Sequence, residues 1–251
     1  MILRKWEDLP PHMQTGQVRE YYDILKKKSA SLLFKRVFDV VISFLMLVAL
    51  SPLFLILAVV IKLDSDGPVF YRQERVTQYG KRFRIFKFRS MVVSADHGSL
   101  ITVSDDSRIT KVGKFIRKYR LDELPQLIDV LRGTMTFVGT RPEVVKYTAL
   151  YTSEMMATLL LPAGVTSLAS IYYKNEMALL DSAEDTDRVY AEDILPAKMY
   201  YNLKAIEEFS FFGDIKIMFM TVLAVLGKEY KGDYEISKKE GESKKMEVVE
   251  K

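Results

Sequence analysis

Between Val40 and Ile61 the chain carries no charged residue. At about 1.5 Å per residue an unbroken helix of that length reaches the ~30 Å hydrocarbon thickness of a bilayer. A straight span is nevertheless disfavoured. Ser51-Pro52 interrupts the run near its middle, and proline removes a backbone donor and clashes with the preceding turn, so a sharp bend is expected there. The flanks argue the same way: Lys26, Lys27, Lys28, Lys35 and Arg36 precede the run, and Lys62, Arg72, Arg75, Lys81, Arg82, Arg84, Lys87 and Arg89 follow it. The positive-inside preference puts both flanks on the cytoplasmic side. A helix that enters, breaks at Ser51-Pro52 and returns satisfies both. The competing readings are an ordinary kinked transmembrane helix and a buried core helix.

The rest of the chain, 251 residues in all, suits one soluble domain attached to that anchor. A polar segment precedes the apolar run and no small-residue cleavage site follows it, which argues against a cleaved signal peptide. There is no cysteine, so disulfides, thiolate metal sites and cysteine nucleophiles are excluded. His12 and His97 are too few for a histidine metal cluster. The net charge is only +4, yet the basic residues concentrate beside the anchor and the acidic ones toward the C-terminus. Such a patch suits anionic headgroups or phosphorylated ligands; nucleic acid is disfavoured because no recognised binding motif accompanies the charge.

Past the turn at Asp66-Gly67-Pro68, VFYRQERV and KRFRIFKFRSM read as two strands joined through Gln78-Tyr79-Gly80, a β-hairpin. Its second arm interleaves phenylalanines with Arg84, Lys87 and Arg89. A solvated strand face and a phosphate-facing one both fit. Further on, Leu124, Leu127, Ile128 and Leu131 follow the i, i+3, i+4, i+7 spacing of a helix with one buried face, with Gly133 as its C-terminal cap. Asp122 is then expected at the N-cap, with Pro125 in the first turn. Asp122 and Glu123 would lie where a helix dipole favours anions and where a phosphate could be held. Adjacent carboxylates can divide labour, one attacking and one holding a divalent metal. From spacing alone, an acidic helix cap is the commoner explanation.

Taken together, KRVFD (35–39), the Ser51-Pro52 break, DGPVFYRQERV (66–76), FKFRSM (86–91), DSRITKVGKFIRK (106–118), LDELPQLIDVLRGTMTFVGTRP (121–142) and ILPAK (194–198) closely resemble the bacterial sugar transferase family, the monotopic polyprenyl-phosphate phosphoglycosyl transferases. The resemblance runs from about Lys35 to about Leu226. It implies an α+β fold: a re-entrant helix-break-helix anchor over 35–62 and a small, mostly helical cytosolic catalytic domain over 63–227, with a β-hairpin and interfacial amphipathic helices. Residues 1–34 would be an N-terminal extension and 228–251 a charged tail, whose composition predicts disorder.

The implied reaction moves a sugar 1-phosphate from a nucleotide sugar, a UDP-sugar by family habit, to undecaprenyl or another polyprenyl phosphate and releases UMP. It takes place at the cytoplasmic face of the bacterial inner membrane and begins assembly of a surface glycan. Asp122 matches the family's nucleophile, and Glu123 its partner carboxylate, which binds the required Mg²⁺ with Asp122 beside it. Arg117 and Arg141 match phosphate ligands, with Lys87 and Arg89 as further phosphate or nucleotide contacts. Lys35, Arg36 and Asp39 match the element that pins the ends of the re-entrant helix.

The chain departs from the family pattern at Thr140, Asp129, Thr134 and AGVTSLAS (163–170), which is read as divergence within an active enzyme. Two apolar segments, 154–161 and 215–226, fit interfacial helices or core helices alike. A helix around Val18–Leu25 is also compatible with the pattern. The sequence does not fix the sugar, the glycan or the oligomeric state. A non-catalytic membrane scaffold that binds phosphorylated lipid is the competing class, and direct displacement without a covalent intermediate is the competing mechanism.

Overall fold

The computed structural model describes residues 3–92, 108–174 and 185–232. Helix α1 (Gly16–Lys27) starts where the Thr15 side chain accepts a hydrogen bond from Val18 N, and carries Lys26 and Lys27 in its last turn, where cations complement the helix dipole. Val18, Tyr21, Tyr22 and Leu25 form its buried stripe. They join Leu9, Met13 and later residues in one core, so the N-terminal segment is built into the folded body.

Helices α2 (Ser29–Ala49) and α3 (Ser51–Asp64) are bent by 61° at their junction. Pro52 sits in the first turn of α3, where its missing N–H costs little, and Ser51 Oγ donates to Val48 O at 2.8 Å. The expected break is therefore at the expected place. No single described helix is long and apolar enough to cross a membrane; this bent pair is, by length and composition. Helix α2 is also inverted in polarity. Its buried positions include Lys35, Asp39 and Ser43, spaced four apart on one face, whereas Phe34, Val37, Val41, Phe44, Leu45 and Val48 are exposed. On α3, Leu55 is 68% exposed and Leu63 82%.

Strands β1 (Phe70–Val76) and β2 (Arg82–Phe88) form the expected antiparallel hairpin, with Phe70 opposite Phe88 and Tyr71 opposite Lys87. Tyr79 in the connection takes a left-handed conformation, φ 58°. Helices α4 (Lys111–Lys118) and α5 (Gln126–Arg132) follow. A second, parallel pair, β3 (Met135–Val138) and β4 (Ala163–Thr166), has no clear signature in the sequence. Two glycines allow it: a Cβ on Gly164 would lie 2.2 Å from Gly139 O, so a side chain there would push the two segments apart. Between β3 and β4 run α6 (Val145–Thr148) and a 3-10 turn, Met155–Leu160. That turn buries Ala157, Thr158, Leu159 and Leu160, so segment 154–161 is core and not interfacial.

Helix α7 (Leu168–Tyr172) packs Leu168, Ile171 and Tyr172 into the second core, and the continuous run α8 (Thr186–Val189), π turn Tyr190–Ile194 and α9 (Leu195–Glu207) closes the first. Helix α10 (Phe211–Val225) buries Ile217 and Ala224 but leaves Phe212, Phe219, Val222, Val225 and Leu226 exposed. A second core unites Ile85, Leu127, Val130, Met135 and Phe137 with the inner faces of α2 and α10. A third packs Phe88 and Ile116 on Leu57 and Ile61 of α3. His97 and the tail beyond residue 232 lie outside the described residues.

Candidate active site

The site is assembled around the turn between α4 and α5. Helix α4 is held at its start by two caps: Thr110 Oγ1 accepts from Gly113 N at 2.9 Å, and Asp64 Oδ2, at the end of α3, accepts from Val112 N at 3.1 Å. Gly113 is required by close approach, since a Cβ there would lie 2.0 Å from Ser90 O. After Lys118 the chain reverses through Arg120, which is left-handed at φ 56°, into a short 3-10 turn, Leu121–Glu123. Here the expectation is corrected. Asp122 is not the N-cap of the following helix: α5 begins at Gln126, behind Pro125, because the residues before it close by i→i+3 bonds, Leu124 N to Leu121 O at 3.2 Å and Leu127 N to Leu124 O at 3.1 Å, as in a 3-10 turn.

This turn presents two carboxylates in unlike surroundings. Glu123 is gripped by Arg141 from the segment after β3: Nη1 reaches Oε2 at 3.2 Å, and Nη2 pairs with Oε1. Lys87 Nζ, from β2, adds a contact to Oε1 at 3.3 Å. A bidentate guanidinium is the geometry that planar carboxylates and phosphates favour. Burial alone would oppose ionisation of Glu123, but Arg141 and Lys87 overcome it and hold the carboxyl well below its ordinary range. Asp122 is buried, 7% exposed, and accepts no hydrogen bond from the described residues. Burial and the neighbouring Glu123 charge raise its pKa against the pull of Lys87, Arg117 and Arg120. Burial also lowers the Lys87 pKa, opposed by Glu123.

Asp122, Glu123, Arg141 and Lys87 are thus brought together, with Arg117 at the last turn of α4 contributing charge. Arg89 is not part of the group. Its guanidinium is 4% exposed and donates to the carbonyls of Ile61 at 3.2 Å, Ser65 at 2.6 Å and Asp66 at 2.9 Å, closing the C-terminal end of α3. This geometry gives Arg89 a capping role in place of the expected phosphate contact.

Lys35, Arg36 and Asp39 are all engaged by elements of the domain that follows the bent pair. Lys35 Nζ donates to Val138 O at 2.8 Å and pairs with Asp214 of α10. Arg36 donates to Val130 O at 2.7 Å and Leu131 O at 2.9 Å, capping α5. Asp39 accepts from Thr136 Oγ1 at 2.7 Å and Phe137 N at 3.3 Å. Among the described residues these bonds tie α2 to α5, β3 and α10.

Four residues have structural partners that the sequence gave no reason to assign. Asp129 of α5 accepts from Phe86 N at 2.8 Å and fixes α5 to the hairpin. Glu143 is buried, accepting from Tyr190 OH at 2.5 Å, with Lys198 Nζ 3.7 Å away. Lys198 belongs to the ILPAK motif quoted above, and Asp214 sits in the first turn of α10; the only prior signals were that motif and the departure at Asp129.

Among the described residues, no group of three or more His, Cys, Asp or Glu side chains could hold a metal ion by itself. The Asp122–Glu123 pair fits a magnesium ion completed by ligand phosphates, because that ion is commonly bound through one or two carboxylates plus phosphate oxygens.

Comparison with known proteins gives a consistent picture. Over 197 residues the chain is 37% identical to a UDP-glucose:undecaprenyl-phosphate glucose-1-phosphate transferase of Klebsiella pneumoniae, covering 76% of this chain and 40% of that protein. It is 36% identical over 196 residues to a UDP-N-acetylgalactosamine-undecaprenyl-phosphate N-acetylgalactosaminephosphotransferase of Aeromonas hydrophila, covering 76% and 43%. The uncharacterized sugar transferase EpsL of Bacillus subtilis (strain 168) is 34% identical over 199 residues, which is 79% of this chain and 90% of its own length. The chain spans about two fifths of the length of the first two relatives. The family described as Bacterial sugar transferase matches residues 30–228, and this chain belongs to that family.

Proposed function

We propose that the protein transfers a sugar 1-phosphate from a UDP-sugar to undecaprenyl phosphate, releasing UMP, at the cytoplasmic face of a bacterial membrane, and so begins assembly of a surface glycan. The observation that carries this reading is the asymmetry of the dyad: Glu123 is clamped by Arg141 and Lys87, while the buried Asp122 carboxylate accepts no hydrogen bond from the described residues and is left to attack.

In the proposed first step an Asp122 oxygen attacks the phosphorus that bears the sugar, the P–O bond to the second phosphate breaks, and UMP leaves. In the second, an oxygen of polyprenyl phosphate attacks the same phosphorus and Asp122 departs as a carboxylate. Covalent catalysis of this kind divides one difficult displacement into two. Arg141, Lys87 and Arg117 neutralise the diphosphate and the charge that builds on its leaving oxygen. The raised pKa of Asp122 leaves it more basic, and so more nucleophilic once ionised, than an exposed aspartate. Glu123, with Asp122, would hold Mg²⁺, which supplies Lewis-acid neutralisation of phosphate charge.

The membrane placement rests on the inverted polarity of α2, the 61° bend and basic flanks on both sides of the pair. Exposed Phe115 and Tyr119 on α4, beside Lys114 and Lys118, suit contact with the headgroup region.

The reading is tested by incubating the purified full chain with Mg²⁺ and UDP-sugars without lipid acceptor, and weighing the intact protein. A phosphosugar adduct that Asp122→Asn abolishes supports it. UMP formed only after undecaprenyl phosphate is added, with no adduct, favours direct displacement. Absence of turnover with lipid present favours the scaffold.

A further inference from the structure

Arg141 stands on the connection between β3 and α6, outside any helix or strand, so the reach of its guanidinium toward Glu123 depends on what grips that connection. The backbone is held at three carbonyls. Gly164 N donates to Thr140 O at 2.8 Å, Val76 N to Glu143 O at 2.9 Å, and Arg75 Nη1 to Pro142 O at 3.3 Å. A further hold is a side chain. Glu143, 7% exposed, accepts from Tyr190 OH at 2.5 Å; Lys198 Nζ lies 3.7 Å from the same oxygen and donates to the Tyr190 hydroxyl at 3.1 Å.

We propose that Glu143 is a positioning residue, fixed by Tyr190 and Lys198 so that Arg141 meets the dyad. The assignment rests on the sugar-phosphate transfer proposed above and adds to it three residues that act through Arg141. The coupling runs through Pro142, whose ring locks its own φ at about −65° and disfavours the helical region for the residue before it. Few soft dihedrals therefore separate Arg141 from Glu143, and a displacement of the one is carried to the other. The Tyr147 ring of α6 also packs on Tyr190, with centroids 4.4 Å apart, so the far end of the connection leans on the same phenol.

Tyr190 and Lys198 belong to one helical run and are eight residues apart. On an unbroken α-helix such a pair is out of phase by about 80°. The π turn Tyr190–Ile194 takes in one extra residue and leaves the phase of a seven-residue pair, about 20°, so phenol and ammonium converge on one carboxylate. Pro196, in the first turn of α9, accounts for the break because it has no N–H to give to the preceding turn. Stability is a weak reason for such a pair. Two buried ions lose hydration that their attraction barely returns, and apolar residues of similar volume often fill a core as well. The neighbours here are apolar, Val144, Leu195 and Met199 among them. A buried pair does select one arrangement of its surroundings, and a connection that must place a charge benefits from that selection.

The test measures UMP release from a UDP-sugar by the full chain in detergent, with Mg²⁺ and undecaprenyl phosphate present and rates normalised to the folded fraction from thermal unfolding. Tyr190→Phe, Lys198→Met and Glu143→Leu/Lys198→Met are each made in wild type and in Arg141→Lys. Lys198→Met is expected to lower kcat about tenfold, on the scale of slight misplacement of a catalytic group, and Tyr190→Phe about threefold, the effect of one hydrogen bond. The double variant removes both buried charges, so it should regain thermal stability without regaining kcat. In Arg141→Lys the same changes should have little further effect, because the group they place is already gone. Tyr190→Phe leaves both charges in position and decides the matter if the others do not fold. Wild-type kcat in folded Tyr190→Phe, recovery of kcat together with stability in the double variant, or losses that multiply with that of Arg141→Lys overturn the assignment and leave the transfer reaction standing. A wild type that releases no UMP from any UDP-sugar overturns the reaction and this role together.

Discussion

Arg141 holds both carboxylate oxygens of Glu123, although eighteen residues, a helix and a strand separate them in the chain. The pair crosses from the turn before α5 to the segment after β3, so the strand and the helix must both be in register for the dyad to be set. This dependence makes the site sensitive to changes of geometry at constant charge.

Replacing Arg141 by lysine keeps the charge and removes the planar two-point grip. Turnover of UDP-sugar is expected to fall by about 10²-fold, the scale seen when one preorganised donor is lost from a charge-stabilising site, with thermal stability little altered. Steady-state kinetics of Arg141→Lys, compared with Arg141→Ala, measures it. Wild-type rates in the lysine variant would remove the bidentate contact from the mechanism.

For Asp122→Asn the loss should be far larger, about 10⁴-fold or more in kcat, as for other nucleophile deletions, with UMP affinity retained. The contrast between abolished chemistry and intact product binding is the diagnostic. It is read by UMP release assays alongside equilibrium binding.

Arg89 should behave as a structural residue. Arg89→Met leaves the carbonyls of Ile61, Ser65 and Asp66 without their donor, and a loss of about 2–4 kcal/mol is expected from several hydrogen bonds to a buried charge. Denaturant unfolding gives the stability change. The fraction of folded enzyme that still forms adduct should match wild type, and a selective loss of nucleotide binding would return Arg89 to the phosphate site.

The Lys35–Asp214 pair is nearly inaccessible, at 3% and 13% side-chain exposure. Breaking it from one side by Asp214→Leu should cost about 3–5 kcal/mol, because the lysine charge is left buried, while the double variant Lys35→Met/Asp214→Leu should recover much of that loss. A double-variant cycle by chemical denaturation in detergent reports the coupling.

Asp129 offers a pH signature. Burial raises its carboxyl pKa despite the Phe86 N–H, Arg72 and Arg132. The folded state then binds this proton more tightly than the unfolded chain, so the group's contribution declines as pH rises from the unfolded carboxylate pKa through the raised folded one. Asp129→Asn removes that titration and can keep an acceptor for Phe86 N. Its stability relative to wild type should increase across that acidic interval and then level off. A difference that is flat with pH, followed by thermal melts in a buffer series, would refute the assignment.

Much of this arrangement was legible in the chain. The bend at Ser51-Pro52 follows from one proline in an apolar run, and the hairpin from two strand-like segments around Tyr79-Gly80. The Asp-Glu pair and both arginines came from motif resemblance, since nothing local distinguishes Arg141 from a solvated surface residue. The β3–β4 pair was invisible because its strands are four residues each and their pairing depends on Gly139 meeting Gly164 at a distance. The start of α5 was misplaced because apolar spacing marks the buried face of a helix but not where its hydrogen-bond ladder begins. Arg89 was misread for a related reason: a basic strand residue facing a helix end has the same sequence signature as one facing a phosphate. The inward polar edge of α2, formed by Lys35, Asp39 and Ser43 four residues apart, went unread because it has the same signature as a juxtamembrane charge cluster.

Arg36, bonded to Val130 O and Leu131 O, fastens the base of α2 to the last turn of α5, the helix that follows the catalytic turn. From Arg36 to the break at Ser51 the helix extends fifteen residues, about 22 Å at helical rise. In the proposed orientation this span acts as a keel of fixed draught: lengthening it by a turn would ride deeper in lipid while the reacting carboxylate kept its altitude above the headgroups. In that orientation, how far the protein reached into the bilayer and how high it worked above it would be set by different stretches of the chain, free to drift independently between membranes of different thickness.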